Sequence, residues 1–257
     1  MSRRVVAIVQ ARVGSTRLPR KVLADICGRP MLAHVIERLQ RAHTLAGVCV
    51  ATTTSPEDEL VCRIAADLGA QTYAGSVDDV LDRYYQAALQ VDADVIVRIT
   101  SDCPLIDARV VDAVVSTFLQ GDYDYVSNTL HPTYPDGLDT EVFSMHTLAQ
   151  AWREARMRSE REHVTPYIRK HPESFRLFNV EHRPDLSSLR WTVDQRSDLE
   201  FVQAIFSRLY PTPFEMDDVL RLLHEHADLA RINDGIARNE GYQRSLHEDG
   251  IVRPKEE

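Results

Sequence analysis

Continuous apolar runs alternate with helical apolar stripes in the chain up to Gln120. The runs predict buried strands at Val5–Val9, Val48–Thr52 and Val95–Thr100. A shorter strand is predicted at Gln71–Ala74. The helical stripes comprise Leu32, Val35, Ile36 and Leu39; Leu60, Val61, Ile64 and Leu68; Val80, Leu81, Tyr84 and Ala88; and Val110, Val111, Val114, Val115 and Phe118. Because strands alternate with helices, we expect an α/β fold with a mainly parallel sheet and right-handed crossovers.

The pattern changes between residues 130 and 184. This segment has five prolines and many Arg and His residues, which is typical of a lobe that covers an acceptor or forms a dimer contact. The elements predicted from here on are a strand at Gly137–Phe143, helices around Thr147–Met157 and Glu160–His171, an extended run at Phe175–Glu181, a strand at Leu189–Val193, and helices from Ser197 and Phe214. We therefore expect one domain over residues 1–238, with 130–184 as a small inserted lobe and 239–257 as a polar, frayed C-terminal tail.

Length and composition agree with one α/β domain. The chain has 257 residues, 44% of them hydrophobic, which is enough for a core without disulfide bonds. Its four cysteines show neither CxxC nor Cys/His zinc spacing, which indicates free thiols in a reducing compartment. We expect neither a secretory leader nor a membrane span, because the first strand begins at once and no apolar stretch reaches about 20 residues. A cytoplasmic protein is therefore predicted.

The segment after the first strand is basic, although the chain has a net charge of -9 that argues against nucleic-acid binding. Its cations are Arg12, Arg17, Arg20 and Lys21. Gly14 allows close approach of the backbone to a ligand, and Ser15 and Thr16 add hydroxyl and amide donors. Neither a Walker loop nor a paired-glycine dinucleotide motif fits this segment. At the carboxyl end of a strand it predicts a polyphosphate site; the alternative is a solvated basic turn.

Two aspartates follow predicted strands. Asp102 comes after the strand at Val95–Thr100, and Asp194 comes after the last predicted strand. Carboxylates that converge from two strand ends can hold Mg²⁺, which prefers oxygen ligands and completes its shell with water and substrate phosphates. The alternative for each is a helix cap, which is the favoured interpretation of Asp107 and Asp198. Asp102 and Asp194 are therefore the predicted metal ligands.

Four segments together resemble a known family. They are Gln10–Leu23, Ala74–Tyr85, Arg98–Asp107, and Trp191–Asp194 with Asp198. In this order they are similar to the motifs of cytidylyltransferases that make CMP-activated acidic sugars, above all the spore coat polysaccharide biosynthesis protein F-like branch, related to CMP-sialic acid and CMP-Kdo synthetases. The resemblance implies a three-layer, Rossmann-like nucleotidyltransferase fold of the glycosyltransferase-A type. It also implies transfer of CMP from CTP to a small anionic acceptor, with release of pyrophosphate.

The resemblance assigns roles to individual residues. Arg12, Arg17 and Lys21 would be the catalytic cations, and Asp102 and Asp194 would bind the catalytic magnesium. The implied nucleotide-binding residues are Ala11, Arg12, Val13, Gly14, Ser15, Lys21, Gly75, Ser76 and Ser101. Relatives usually have glycine where this chain has Ser101, so here a small hydroxyl group would face the nucleotide.

The acceptor is expected in the lobe. Asp139 and Glu141 could hydrogen-bond sugar hydroxyls or hold a second metal. Arg161 and His163 could meet an anionic group of the acceptor; the alternative is a solvated helix face. The identity of the acceptor is left open, and a homodimer is expected.

Three other functions stay open. The chain could be a nucleotidyltransferase that uses another NTP or a phosphonate acceptor, a glycosyltransferase, or a nucleotide-binding regulator without turnover. A glycosyltransferase usually needs an Asp-x-Asp metal motif. The matches at Asp92–Asp94 and Asp122–Asp124 each stand before a strand and therefore lie at the wrong end of it. The basic loop and the two strand-end aspartates favour an enzyme over a regulator.

Overall fold

The computed structural model describes residues 3–250, except residues 16, 237 and 239. Its strands are β1 (Val5–Gln10), β2 (Asp25–Ile26), β3 (Arg29–Pro30), β4 (Gly47–Thr53), β5 (Gln71–Gly75), β6 (Val95–Thr100), β7 (Tyr125–Ser127), β8 (Glu141–Ser144) and β9 (Leu177–Asn179). Its helices are α1 (Met31–Leu39), α2 (Glu59–Asp67), α3 (Val80–Gln90), α4 (Ala108–Gln120), α5 (Met145–Glu154), α6 (Arg158–His163), α7 (Pro166–Lys170), α8 (Arg196–Leu209), α9 (Met216–Glu225) and α10 (Glu240–His247). Short 3₁₀ turns lie at Lys21–Leu23, Pro56–Asp58 and Leu229–Arg231.

Seven strands of the described chain form one central sheet, in the order β5-β4-β1-β6-β8-β7-β9. β1 pairs in parallel with β4 and β6, and β4 pairs in parallel with β5. β8 runs antiparallel to both β6 and β7. The prediction of a mainly parallel sheet is therefore confirmed. Because β1 and β6 are neighbours, the basic loop after β1 and Asp102 after β6 lie at the same edge of the sheet.

Helices cover both faces of the sheet and give the predicted three layers. The side chains of β1 alternate between the faces, as the period of two in a strand requires. Val5, Ala7 and Val9 pack with the apolar stripes of α1 and α4. Val6 and Ile8 pack with α3 and α5 on the opposite face. This double burial explains why β1 is apolar at every position from Val5 to Val9.

The strand predicted at Leu189–Val193 is wrong. The segment makes an isolated β-bridge at Arg190 instead of a strand. Trp191 and Val193 are fully buried in a third core cluster with α8 and α9, so their apolar character reflects packing against helices. The Val193 amide donates to the Asp102 carbonyl at 2.8 Å. The segment that leads to Asp194 therefore lies beside the end of β6 without joining the sheet.

Elements of the lobe differ from their predicted bounds. The strand predicted at Gly137–Phe143 is the shorter β8, and the strand expected after Asp122–Asp124 is β7. The helix predicted at Glu160–His171 is divided into α6 and α7 at Val164, which has a φ of 71°. Val164 is fully buried, and Pro166 at the start of α7 has no amide hydrogen with which to continue α6. Burial and the proline together divide the helix.

The C-terminal segment is more ordered than the predicted tail. The sequence predicts fraying at 239–257, but α10 forms and packs against α6; residues 251–257 lie outside the described residues. Asp249 accepts hydrogen bonds from the Ser159 amide at 2.8 Å and from the Ser159 hydroxyl at 2.7 Å. Polar side chains thus attach this segment to the lobe. Over the described part of the chain, no helix combines the length and apolar character needed to cross a membrane.

Candidate active site

A cleft lies at the carboxyl ends of β1 and β6. It consists of two adjoining cavities of about 310 and 250 Å³. The larger, here called the basic-loop cavity, is bounded by the loop after β1, Arg83 and Ser101. The smaller, here called the lobe cavity, is bounded by Asp139, Arg169 and neighbouring lobe residues. Both cavities share Gln10, Arg17, Thr100, Asp102, His163 and Asp194.

Lys21 links the two predicted metal ligands. Its Nζ donates to Asp102 Oδ2 at 2.9 Å and to Asp194 Oδ1 at 2.8 Å. A third bond reaches the Val193 carbonyl at 3.1 Å. Arg17 also contacts Asp194 Oδ1, at 2.8 Å. The structure therefore brings both aspartates and two of the three predicted catalytic cations to one point between the cavities.

The charges at this point stabilise one another. Burial disfavours the charged form of Lys21, but Asp102 and Asp194 outweigh it and raise the pKa of the ammonium. Burial likewise opposes ionisation of Asp102, yet the attraction of Lys21 outweighs it, so the pKa of this carboxyl is lowered. The side chains of Lys21 and Asp102 are 14% and 24% exposed, so solvent screens the pair only in part. Both groups are charged at neutral pH.

The donor set at this point fits a magnesium ion that also has a phosphate ligand. Mg²⁺ commonly takes one or two carboxylates from a protein and fills its octahedron with water and substrate phosphates. Asp102 and Asp194 supply two such carboxylates, while the described residues contain no group of three or more His, Cys, Asp or Glu side chains that could hold a metal ion. Lys21 contacts one oxygen of each carboxylate, Asp102 Oδ2 and Asp194 Oδ1, so a metal ion that used these two oxygens would displace it.

Asp198 is the helix cap that the sequence favours. It is fully buried, and its Oδ2 accepts hydrogen bonds from the amides of Asp194 and Gln195 at 2.9 Å each. Its Oδ1 accepts from Arg190 at 2.9 Å and from Asn233 at 3.0 Å. Asp198 therefore fixes the turn that carries Asp194, and it does not line either cavity.

Hydrogen bonds to residues outside the loop hold the basic loop in place. The Val13 amide donates to Asp58 at 2.7 Å, and Thr53 donates to the other oxygen of this buried carboxylate. Val13 is itself buried and does not line the cleft, so its predicted nucleotide contact is replaced by an internal one. Ala11 lines the basic-loop cavity, although its amide donates to the carbonyl of Ala51 at 3.2 Å. The loop is thus held at both residues that flank Arg12.

The exposed part of the loop faces the cavity. Arg12, Gly14 and Ser15 line the basic-loop cavity; Thr16 lies outside the described residues. Arg12 is exposed and forms no ion pair with any carboxylate that the structure describes. Ser101 is largely buried and also lines this cavity. The structure thus brings Arg12, Gly14, Ser15 and Ser101 to one cavity, and their contacts with a nucleotide stay predictions.

Gly75 and Ser76 lie beside the cleft, with Arg83 between them and the cavity. The Ser76 carbonyl accepts a hydrogen bond from Arg83 at 2.8 Å, and the Ser76 hydroxyl accepts one from the Asp79 amide at 3.1 Å. Arg83 lines the basic-loop cavity, whereas Gly75 and Ser76 do not. The sequence contained a signal for Arg83, because it lies three residues after Val80 within the otherwise apolar stripe of α3.

The predicted acceptor residues separate into two groups. Asp139, Glu141 and His163 line the lobe cavity. Arg161 does not, and its predicted acceptor contact is replaced by an internal ion pair: its guanidinium donates to Asp79 through Nε at 3.0 Å and through a terminal nitrogen at 2.5 Å. Asp79 is also the N-cap of α3. Arg161 therefore joins α6 to α3.

Glu141 serves as a structural centre of the lobe cavity. Its carboxylate accepts hydrogen bonds from Arg98, from Tyr125 at 2.5 Å and from Thr165 at 2.6 Å. Burial opposes its ionisation, but Arg98 outweighs burial, so the pKa of Glu141 is lowered. In contrast, burial raises the pKa of Asp139 to about 7, despite its contact with Arg238. Asp139 is the carboxyl group in this cavity whose proton is exchangeable near neutral pH.

His163 connects the two cavities. Its Nε2 lies 2.9 Å from the hydroxyl of Ser245 on α10. Burial and the nearby Arg98 lower the pKa of His163 to about 4, so its ring is neutral at neutral pH. Nothing near His163 in the sequence indicated this contact, since Ser245 belongs to the predicted tail.

Two lobe-cavity residues have no predicted role. Arg169 of α7 places its guanidinium carbon 5.6 Å from the ring centroid of Tyr242 on α10. In the described part of the chain, no carboxylate forms an ion pair with Arg169. The sequence missed both residues because α10 was predicted as a tail and α7 as the middle of a longer helix.

Comparisons with known proteins identify the family of this chain. The family model described as cytidylyltransferase matches residues 6–227. The uncharacterized protein MJ1063 of Methanocaldococcus jannaschii is 34% identical over 242 residues, 93% of this chain and 98% of the relative. The spore coat polysaccharide biosynthesis protein SpsF of Bacillus subtilis is 30% identical over 236 residues, 88% of this chain and 96% of the relative.

A solved structure of a cytidylyltransferase has a similar fold. A cytidylyltransferase from Leptospira borgpetersenii superimposes with a TM-score of 0.87 at 32% identity, covering 92% of this chain and 100% of that one. The predicted nucleotidyltransferase fold and the predicted family are thereby confirmed. The chain belongs to the cytidylyltransferase family and is a CTP-dependent nucleotidyltransferase.

Proposed function

We propose that this enzyme transfers CMP from CTP to an acidic sugar or a related small anionic acceptor and releases pyrophosphate. The observation that carries the proposal is the convergence of Lys21, Asp102 and Asp194 between two cavities. The basic-loop cavity is suited to the nucleotide, and the lobe cavity is suited to the acceptor. The name of SpsF supports a role in making precursors of surface polysaccharides or glycoconjugates.

The reaction is an in-line displacement at phosphorus. An acceptor oxygen forms a bond to the α-phosphorus of CTP, and the bond from that phosphorus to the bridging oxygen of the β-phosphate breaks. Such transfer needs positioning and charge neutralisation, without a covalent enzyme intermediate. Arg12, Arg17 and Lys21 stabilise negative charge on the transferred and leaving groups. Asp102 and Asp194 would hold Mg²⁺, which when bound neutralises phosphate charge.

Lys21 has two sets of partners in this proposal. Without nucleotide its ammonium is bound by the two aspartates. In the nucleotide complex the two aspartates would hold Mg²⁺, and the Lys21 ammonium would bind the phosphates instead. The long, flexible stem of lysine permits this exchange, because only rotation about side-chain bonds is needed.

The lobe cavity favours an anionic acceptor that also carries hydroxyl groups. Arg169 supplies a cation that is not neutralised by an ion pair with the carboxylates that the structure describes. Asp139 lies in the same cavity, where its carboxyl group is suited to binding a hydroxyl. A sugar acid has both kinds of group. The same pair of features is compatible with a phosphonate acceptor.

The test has two stages. Isothermal calorimetry with CTP, UTP, ATP and GTP, with and without Mg²⁺, should give the tightest binding for CTP with Mg²⁺. Pyrophosphate release from CTP is then measured with sugar acids, matched neutral sugars and phosphonates. We expect release with an acid and not with the neutral sugar of the same carbon skeleton. Equal binding of all four nucleotides would contradict the CTP preference, and preference for a neutral sugar would contradict the acceptor class.

Two further expectations stay predictions from the sequence. A homodimer would appear as twice the chain mass in light scattering. A cytoplasmic location would appear in the fractionation of cells that make the protein.

Binding of CTP without pyrophosphate release from any acceptor would instead favour the nucleotide-binding regulator.

A further inference from the structure

The C-terminal segment 240–250, which contains α10, forms part of the wall of both cavities. Tyr242 lines the lobe cavity, and Ser245 and Glu248 line the basic-loop cavity. All three residues lie beyond residues 6–227, which the cytidylyltransferase family model matches. Part of the cleft is therefore built from a segment outside the family match, where a property particular to this enzyme can reside.

Hydrogen bonds to α6 hold the C-terminal segment in place. Asp249 accepts hydrogen bonds from the amide and the hydroxyl of Ser159 at 2.8 and 2.7 Å. The Gly250 carbonyl accepts a third hydrogen bond, from the amide of Arg158 at 2.8 Å. Because these contacts fix the end of the segment on the lobe, the part of α10 that carries Tyr242 has a defined position beside the lobe cavity.

Tyr242 packs against two residues of the lobe. The centroid of its ring lies 5.1 Å from that of His163 and the two planes are 77° apart, which is an edge-to-face arrangement. The guanidinium carbon of Arg169 lies 5.6 Å from the same centroid, within the range of a cation–π interaction. The phenol oxygen makes no hydrogen bond with the residues that the structure describes. The ring is thus held in position while its hydroxyl group stays available to a ligand.

Tyr242 and Arg169 face the acceptor rather than the nucleotide. Both residues line the lobe cavity, and neither lines the basic-loop cavity. Arg169 forms no ion pair with a carboxylate in the described part of the chain, so its guanidinium group is suited to the anionic group of an acceptor. Tyr242 lies next to the place where that anionic group would bind.

The lobe cavity is small enough for one wall residue to decide what fits. Its volume of about 250 Å³ is below the roughly 300–1,000 Å³ that is typical of sites for drug-sized ligands. Among the described residues that line it, Tyr242 is the single Phe, Tyr or Trp. One methylene group more or less in a close-fitting pocket changes discrimination between substrates by roughly 10- to 200-fold. A tyrosine ring in the wall is much larger than a methylene group.

We propose that Tyr242 determines which acidic sugars this enzyme accepts. Its ring limits the length of the sugar carbon chain, and its phenol hydroxyl forms a hydrogen bond with a hydroxyl of the sugar while Arg169 binds the anionic group. This inference rests on the proposed transfer of CMP to an anionic acceptor and adds the residue that selects among such acceptors. Tyr242 takes no part in phosphoryl transfer itself, so its removal should change the choice of acceptor without changing the affinity for CTP.

The experiment compares Tyr242→Ala and Tyr242→Phe with the wild-type enzyme. Ala removes the ring, and Phe removes the hydroxyl group alone. Pyrophosphate release at saturating CTP and Mg²⁺ gives kcat/KM for D-glucuronate, 3-deoxy-D-manno-octulosonate and N-acetylneuraminate, which are acidic sugars of increasing size. Gln243→Ala is the matched control, because Gln243 is exposed on the same helix and lines neither cavity. Asp249→Ala removes the bonds to Ser159 and leaves the cavity walls unaltered.

The two Tyr242 variants should differ in a specific way. In Tyr242→Ala the ratio of kcat/KM for the larger acids to that for the smaller acids should rise at least about tenfold, because the ring no longer limits the carbon chain. Tyr242→Phe should keep the wild-type order of the acids and lower kcat/KM for the best acid by roughly 2- to 10-fold, the loss of one uncharged hydrogen bond. The affinity for CTP, measured by calorimetry, should be unchanged in both variants, and Gln243→Ala should match the wild type.

Other results would overturn the inference in distinguishable ways. An unchanged order of the three acids in Tyr242→Ala, or an equal loss for all three, would show that the ring does not select by size. The same shift in Asp249→Ala would mean that the placement of α10, and not the ring of Tyr242, sets the preference. Weaker binding of CTP by the Tyr242 variants would place Tyr242 beside the nucleotide.

Failure of the proposed function has a different signature. A wild-type enzyme that releases pyrophosphate with none of the acidic sugars would contradict the proposed acceptor class before Tyr242 is tested. If the wild type uses at least one acid and both Tyr242 variants keep its acceptor profile, the inference alone fails.

Discussion

Replacing Lys21 by methionine tests the centre of the site. Methionine has nearly the length of lysine but no charge and no donor. The change removes three hydrogen bonds, two of them to carboxylates, and leaves Asp102 and Asp194 facing each other without their shared cation.

The expected loss of stability is moderate. A hydrogen bond to a charged group contributes about 1.5–3 kcal/mol. Two such bonds would give about 3–6 kcal/mol, but the carboxylates are partly exposed and regain water in the variant. We therefore expect the free energy of unfolding at neutral pH to fall by about 2–4 kcal/mol. For a domain of this size that lowers the melting temperature by roughly 5–15 °C.

The same change should alter metal binding and turnover in opposite directions. In Lys21→Met the two carboxylates are no longer bound by an ammonium, so Mn²⁺, used as a probe for Mg²⁺, should bind the nucleotide-free variant more tightly than the wild type. Added Mn²⁺ should therefore raise the melting temperature of the variant more. Pyrophosphate release should fall at least about tenfold, because a cation that stabilises the transferred phosphate is missing.

The stability contribution of the pair also depends on pH. Lys21 lowers the pKa of Asp102 below its unfolded value of about 4. A carboxyl group of this kind stabilises the fold fully above its unfolded pKa and loses the contribution as the pH falls towards its folded pKa. The difference in stability between wild type and Lys21→Met should therefore shrink below about pH 4.

Calorimetric unfolding and Mn²⁺ titration of both proteins measure these effects. Arg12→Ala is the control, because Arg12 is exposed and should reduce turnover with little change in melting temperature. Equal melting temperatures of Lys21→Met and wild type without metal would refute the idea that Lys21 holds the two aspartates. An equal effect of Mn²⁺ on both proteins would show that the metal ion binds elsewhere.

Three further predictions concern neighbouring carboxylates and His163. Asp102→Asn and Asp194→Asn should each reduce pyrophosphate release at saturating Mg²⁺ at least about 100-fold while the fold persists, because each removes one charged metal ligand; near-normal release from either variant would remove that residue from the metal site. Asp198→Ala should lower the free energy of unfolding by about 3–5 kcal/mol in urea titrations, because it removes a fully buried carboxylate that accepts hydrogen bonds from two amides at the start of α8, from Arg190 and from Asn233; a loss below about 1 kcal/mol would contradict the capping role. His163→Gln should flatten the acid dependence of stability. The unfolded state binds a proton near pH 6.5 and the folded state near pH 4, so wild-type stability falls as the pH drops through this window, and parallel pH profiles of the two proteins would contradict the low pKa.

The sheet and the basic loop could be predicted because their signals are local. Each of β1, β4 and β6 shows its own apolar run, and the loop charges lie close to one another in the chain. The convergence of Asp102 and Asp194 followed from both residues standing at predicted strand ends. The position of Asp194 was correct even though the strand before it was wrong, because Trp191 and Val193 are buried beside β6.

Contacts between distant segments could not be predicted. The pairing of Arg161 with Asp79 joins residues 82 positions apart, and nothing near Arg161 in the sequence indicates it. The attachment of α10 through Ser159 and Asp249 is of the same kind. At Leu60 the local pattern indicates burial that the structure does not show. Leu60 fits the helical stripe of α2 but is 40% exposed, because the stripe is wider than the surface that covers it.

The charged lining of the cleft has a consequence for inhibitor design. Sites that bind drug-sized molecules are mostly apolar with a few polar groups, whereas both cavities here are bounded largely by charged and polar side chains. A competitive inhibitor must carry charges that complement Arg169 and the basic loop. Those charges are costly to move into a lipid bilayer. Potency and cell entry will therefore oppose each other, and compounds for this enzyme will need a masked anion that is released inside the cell.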